Sequence, residues 1–182
     1  MWLKDARSGK IALVAHCILN QNCRVFGLAK RPAVITEILN LLERNSYGVV
    51  QMPCPELTFT GLRRWSQTRE QYDTPMFRNH CRKIAVGLVD QIQQYMDCEM
   101  KVAVVIGVEG SPSCGVSETS SGYTGGKVRE IKRIRKKRVK KRGILMEELV
   151  SEMEKRHIVV PLFGVDDKRI KEHVDKLAEL LE

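Results

Sequence analysis

The stretch KVAVVIGVEGSPSCGVS, residues 101–117, decides how this chain folds. Its first half is a continuous apolar, β-branched run. Such runs mark a strand buried on both faces of a parallel sheet, so MKVAVVIGV (100–108) is expected at the centre. Its second half is a loop of Gly, Ser and Pro around one cysteine, Cys114. No second cysteine lies two or three residues away, as a zinc knuckle would need. What a lone thiol does in a stiff loop at a strand end is the question the rest of the chain must answer.

Outward from this strand, apolar runs alternate with helical periods. KIALVAHC (10–17) reads as a strand, and RPAVITEILNLLERN (31–45) carries Val34, Ile35, Ile38, Leu39, Leu41 and Leu42 at helical spacing. SYGVVQMP (46–53) reads as a strand stopped by Pro53. CPELTFTGLRRWSQTREQYDTP (54–75) shows no period and reads as a long loop. MFRNHCRKIAVGLVDQIQQYMDC (76–98) is the longest helix candidate. After the central strand come a helix over 143–157, a strand over 157–165 that Pro161 assigns to an edge, and a closing helix over 166–182. Strands alternating with helices imply parallel βαβ units. The expected fold class is therefore α/β, a three-layer sandwich around a mainly parallel sheet of about four strands. One domain is expected over 1–182, with a basic insertion at about 127–142.

The longest apolar runs, IALVA and VAVVIGV, are far short of the roughly 20 residues that span a bilayer. The polar start MWLKDARSGK does not resemble a signal peptide. A soluble cytoplasmic protein with no membrane partner is expected. Its six cysteines are then thiols, metal ligands or catalytic groups rather than disulfides. The net charge of +9 is local, because residues 127–142 hold eleven Lys or Arg and one Glu.

Three cysteines fall at three strand ends: Cys17 closes the first strand, Cys54 follows the second, and Cys114 follows the third. Open parallel sheets bind ligands at the carboxyl ends of their strands. One rim would therefore collect three thiols. Structural zinc usually takes four ligands and iron–sulfur clusters usually take four cysteines. Three thiolates on a four-iron cluster leave one iron open as a Lewis acid. Buried packing cysteines are the alternative. Glu56, two residues after Cys54, is placed to act as a general base. Ser111 and Ser113 flank Pro112, and Gly110 and Gly115 admit close backbone approach to a ligand.

These segments resemble a known family. AHCILNQNCRVFG (15–27), MPCPE (52–56), EGSPSCG (109–115) and GILMEEL (143–149) are similar, in order, to the four blocks of the thiouracil desulfurase family. The resemblance covers about the first 165 residues. It implies a Rossmann-like domain with a [4Fe-4S] cluster held by Cys17, Cys54 and Cys114, and Glu56 and Ser111 as the catalytic pair. It also implies non-redox hydrolytic removal of sulfur from a thiolated pyrimidine or nucleoside. Departures mark a divergent branch. The family's GGLPTPR after CPE is replaced by LTFTGLRRWSQTREQYDTP, His16 stands for a small residue, and Asn20 stands for a glycine. These changes fall on the expected substrate wall.

Ser113, Arg63 and His16 are the candidate substrate contacts. Arg63, Arg64, Trp65 and Tyr72 form either a clamp for a base or phosphate or a solvated loop with one anchoring Trp. Cys23 reads as a thiol beside the cluster, or as a resting fourth ligand. Cys81 and Cys98 read as packing residues, and His80, His157 and His173 as surface residues. GYTGGK (122–127) lacks the flanking residues of a phosphate loop.

The basic run suits RNA phosphates, with Arg133, Lys136, Lys137 and Lys140 as contacts and a thiolated nucleotide in tRNA as substrate. Val128, Ile131 and Ile134 suggest a helix there. The plainer reading is a solvated helix pairing with Glu147 and Glu148. Two rival functions follow. One is an RNA-binding module with structural or zinc-bound cysteines. The other is a thiol enzyme with Cys114 as nucleophile.

Overall fold

A computed structural model describes residues 5–123, 125–127 and 135–181. Strands β1 (Lys10–Ala15), β2 (Tyr47–Met52), β3 (Lys101–Val108) and β6 (Leu162–Val165) form one parallel sheet in the order β2-β1-β3-β6. From Val102 to Val108 every residue of β3 is buried, which fits its interior place. β6 lies at an edge, and its strand begins only after Pro161.

The connection from β1 to β2 runs one way across the sheet. Those from β2 to β3 and from β3 to β6 run the other way. The order thus reverses between β1 and β3, where doubly wound sheets open a crevice at their carboxyl ends. Right-handed crossovers then place the helices on opposite faces. Helix α2 (Thr36–Arg44) packs with α7 (Ile170–Leu181), while α5 (Pro75–Asp97) packs with α6 (Ile144–Lys155). On α5 the buried residues Phe77, Cys81, Ala85, Leu88, Val89 and Ile92 recur at helical spacing. Thr74 caps its start by accepting from the Phe77 amide at 3.2 Å, and Pro75 occupies the first turn, where its missing N–H costs nothing. Among the described residues, no helix is long and apolar enough to cross a membrane.

Several expectations change. The segment 54–75 is not a plain loop: it holds α3 (Pro55–Thr60) and α4 (Arg69–Tyr72), the latter closed by a Thr68–Gln71 capping box. The first strand stops at Ala15, and α1 (His16–Leu19) carries Cys17. The helix expected from 31 starts at Thr36. The strand expected from 157 starts at Leu162.

A second, two-stranded antiparallel ribbon pairs β4 (Thr119–Ser121) with β5 (Lys137–Val139). Residues 137–139 of the basic run are thus strand, while the helix read from Val128, Ile131 and Ile134 lies outside the described residues. Among the described residues, Glu147 and Glu148 pair with side chains outside the basic run. Glu147 pairs with Arg69 and Arg78, and Glu148 with Arg78 and Arg82. His173 is buried rather than on the surface. It shares one face of α7 with Leu177 and Leu181, and its Nδ1 meets the Gly164 carbonyl at 2.9 Å.

The loop after β3 folds back onto its own strand and onto the start of α6. The Val108 amide donates to the Cys114 carbonyl at 3.0 Å, and the Ile144 amide donates to the Pro112 carbonyl at 3.0 Å. Gly143 makes this approach possible, since a Cβ there would lie 2.4 Å from the Ser113 carbonyl carbon. Gly143→Ala must push the backbone of the thiol loop away and is expected to cost ~1–3 kcal/mol. A urea unfolding midpoint unchanged from the parent would show that the loop yields freely.

Candidate active site

A cavity of about 150 Å³ opens at the carboxyl ends of β1, β2 and β3. Cys17, Cys23, Cys54 and Cys114 all line it, together with His16, Arg24, Glu56, Arg64, Ser66, Ser111, Ser113 and Lys136. Each thiol arrives by a different device. Cys17 follows β1 on the single turn of α1, whose end is tied down by Gln21 Nε2 donating to the Cys17 carbonyl at 2.5 Å. Cys54 caps α3, its Sγ accepting from the Leu57 amide at 3.5 Å. Cys114 is held by Ser111, whose Oγ accepts its amide at 3.0 Å. Cys81, by contrast, lies in the core, and Cys98 at the end of α5 is half-buried.

The thiols of this group act on one another electrostatically. Burial pushes the Cys17 thiol up to about 12, and the nearby Cys54 adds to the rise. Burial also raises Cys114 well above its ordinary value, with Cys54 and Cys17 contributing. The Cys23 thiol donates toward Cys54 and lowers it, so Cys54 ionises first of that pair. Several thiolates here would repel one another without water to screen them. A cationic inorganic group would relieve that repulsion, and the soft sulfur donors suit iron or copper(I). Among the described residues no three His, Cys, Asp or Glu side chains converge as one metal ion requires. A set of several cysteine thiols is the kind of donor set that holds iron–sulfur clusters.

Beside the thiols stands Glu56, 9% exposed on the first turn of α3. Its Oε1 accepts from Ser113 Oγ at 2.7 Å and from Ser111 Oγ at 3.4 Å, and its Oε2 faces Arg64 Nε at 3.4 Å. Arg64 is itself fixed, donating to the Gly61 carbonyl at 3.2 Å and the Cys23 carbonyl at 2.9 Å. Three donors thus surround one carboxylate beside the thiols. His16 lines the same cavity, and its buried Nδ1 has no hydrogen-bond partner among the described residues.

The remaining sequence candidates divide. Arg63 is exposed and does not line the cavity. Its neighbour Arg64 takes the inward place. Trp65 is 80% exposed, and Tyr72 is buried beneath the site rather than in it. Lys136, Lys137 and Lys140 are all exposed, and Lys136 also borders the cavity. Its Nζ donates to Ser66 Oγ at 2.7 Å. Arg133 lies outside the described residues. Arg24, which lines the wall and pairs with Asp167, was not foreseen.

Known proteins share this arrangement of chain. A family profile described as "Putative 2-thiouracil desulfurase" matches residues 9–176. The chain belongs to this thiouracil desulfurase family. A family relative, the uncharacterized protein MJ0003 of Methanocaldococcus jannaschii, is 35% identical over 151 residues, covering 83% of this chain and 82% of the relative. Among solved structures, a [4Fe-4S]-dependent thiouracil desulfidase, TudS, superposes with a TM-score of 0.53 at 19% identity, covering 93% of this chain and 99% of that one. That likeness places the desulfurase family chain in the same α/β fold.

Proposed function

We propose that the protein is a desulfidase that removes sulfur from a thiolated pyrimidine or nucleoside by hydrolysis, using a [4Fe-4S] cluster held by Cys17, Cys54 and Cys114. The observation that carries this reading is the meeting of those three thiols with Glu56 in one cavity. Membership of the thiouracil desulfurase family and the TudS-like fold support it. When bound, the cluster supplies an open iron that polarises a thiocarbonyl as a Lewis acid.

The chain's own residues supply the rest. Glu56 takes a proton from water, which attacks the thiocarbonyl carbon. Ser113 and Arg64 hold the carboxylate in place for that step. Ser111 both fixes the Cys114 loop and reaches Glu56, so it relays a proton or orients the ring. His16 and Ser113 contact the pyrimidine. One water enters and one hydrogen sulfide leaves, so no electron donor is needed. With six free cysteines, the protein suits a reducing cytoplasm.

The rival RNA-binding module draws on the exposed Lys137 and Lys140. It gives no reason for a buried carboxylate beside four thiols. Anaerobic reconstitution with iron and sulfide separates the two. The expected product is a brown protein with about four irons per chain that converts a thiolated uracil, followed by loss of thiocarbonyl absorbance. Zinc at one per chain, no iron uptake and no turnover would leave the RNA module standing.

A further inference from the structure

The turn that presents Cys17 closes on a buried amide. Gln21 is 1% exposed at the start of a single 3₁₀ turn (Gln21–Cys23), and it does not itself line the cavity. Its Nε2 donates to the Cys17 carbonyl at 2.5 Å, and its Oε1 accepts from the Lys30 amide at 3.2 Å and from Arg24 Nη1 at 3.4 Å. These partners fix which way the amide points. A carbonyl only accepts and a backbone N–H only donates, so turning the amide over would break both contacts. The main chain of Gln21 is engaged as well. Its N–H donates to the Ala33 carbonyl at 2.6 Å, and its carbonyl accepts from the Arg24 amide at 3.1 Å. One residue thus gathers the Cys17 turn, Arg24 and the returning chain at Lys30 and Ala33.

Two of those groups reach the thiol rim, since Cys17 and Arg24 both line the cavity. Arg24 is also held by Asp167, which faces Arg31 Nη1 at 3.8 Å as well. Burial raises the Cys17 thiol, and the Arg24 charge works against that rise. Cys54 and Cys114 are held by the Leu57 amide and the Ser111 hydroxyl. Cys17 is held through its carbonyl instead, and Gln21 is the side chain that holds it. A buried amide carries a desolvation cost that its hydrogen bonds offset. A side chain that merely filled the space would carry none.

We propose that Gln21 is a positioning residue that sets Cys17 and Arg24 in fixed relation, so that the thiol meets the cluster with a cation beside it. This rests on the desulfidase reading above, through its cluster.

The test follows the loss of iron to a chelator from anaerobically reconstituted parent, Gln21→Met, Arg24→Gln and the double variant. Turnover of a thiolated uracil is measured alongside. Ile92→Val, a core change on α5 that does not line the cavity, supplies a stability control, and urea midpoints are recorded for all. Gln21→Met should shed iron about 5- to 100-fold faster than the parent, the worth of leaving buried polar groups unpaired. Ile92→Val should lower the urea midpoint without altering iron loss. The double variant should fall short of the product of the two single effects, because Arg24 is held through Gln21. Gln21→Glu keeps the acceptor for Lys30 and Arg24 and loses the donor to Cys17. It stands in, with the same expectation, if Gln21→Met does not fold. Iron loss no faster than from the parent, or no faster than from Ile92→Val at an equal fall in urea midpoint, reduces Gln21 to packing and overturns the proposal. A double variant that reaches the full product shows Cys17 and Arg24 to be held independently and overturns it too. Iron held with this dependence on Gln21, but without turnover of the thiolated uracil, overturns the desulfidase reading and leaves the positioning role standing. Turnover with iron loss indifferent to Gln21 does the reverse. A parent that takes up no iron overturns both.

Discussion

Cys54→Ala, Cys17→Ala and Cys114→Ala are each expected to emerge from anaerobic reconstitution colourless and without a four-iron centre, while Cys81→Ala takes up iron like the parent. The reason is the electrostatic position of the three thiols. They line one cavity, and burial raises Cys17 to about 12 and Cys114 well beyond its ordinary value. Only a group of strong positive charge makes three adjacent thiolates tolerable there. Removing one sulfur leaves two donors on two strand ends, too few to hold the cluster. Cys81 is as buried as any of them, and its thiol is likewise pushed to about 12, yet it packs in the core and does not line the cavity. The control therefore separates position from mere burial.

Cys23 is the discriminating variant. It lines the cavity and hydrogen-bonds toward Cys54, but it follows no strand end. Cys23→Ala is expected to keep its iron. Iron and acid-labile sulfide per chain, together with circular dichroism to confirm folding, decide the matter. Loss of iron in Cys23→Ala would make it a fourth ligand and remove the open coordination position. Four irons in every single variant would falsify the ligand set altogether.

The sheet and its thiol rim were legible because they rest on strong local signals. An apolar run such as residues 101–108 has few ways to be buried, and Cys17, Cys54 and Cys114 sit where those runs end. What was missed rests on tertiary choices. Helices α3 and α4 have six and four residues, under two turns, so no period could reveal them. Arg63 and Arg64 are neighbours of one kind in a turn. The tertiary placement of Glu56 and of the Cys23 and Gly61 carbonyls goes with Arg64 pointing in. That Lys136 borders the cavity and Lys137 does not likewise follows from the ribbon register, which pairs Ser121 with Lys137. Lys137–Val139 has no alternating apolar pattern to announce a strand. His173 was different, because its spacing of four from Leu177 and eight from Leu181 put it on the buried stripe, and that signal was available.

Glu56→Gln should leave the cluster in place and remove most of the turnover. Gln is nearly isosteric, and Glu56 is not one of the three thiol donors, so the iron count and absorption spectrum should match the parent. The substitution takes away the one anionic acceptor that Ser113, Ser111 and Arg64 are arranged around. An amide cannot accept a proton from water at neutral pH, so the general-base contribution, about 10²–10⁴-fold, should vanish from kcat. KM should move little, since the ring is held by other residues. Ser113→Ala, which deletes the 2.7 Å bond but keeps the carboxylate, should cost about tenfold, the size of one hydrogen bond to a charged group. That ordering matters more than either number. A base that acts on water must lose far more when its charge goes than when one of its supports goes. If the two variants fall by equal amounts with iron intact, Glu56 serves to shape the cavity, and the base must be sought elsewhere on its wall, with His16 the first candidate. If Glu56→Gln loses its iron as well, the carboxylate belongs to the support of Cys54 on the first turn of α3, and the hydrolytic step needs a different origin.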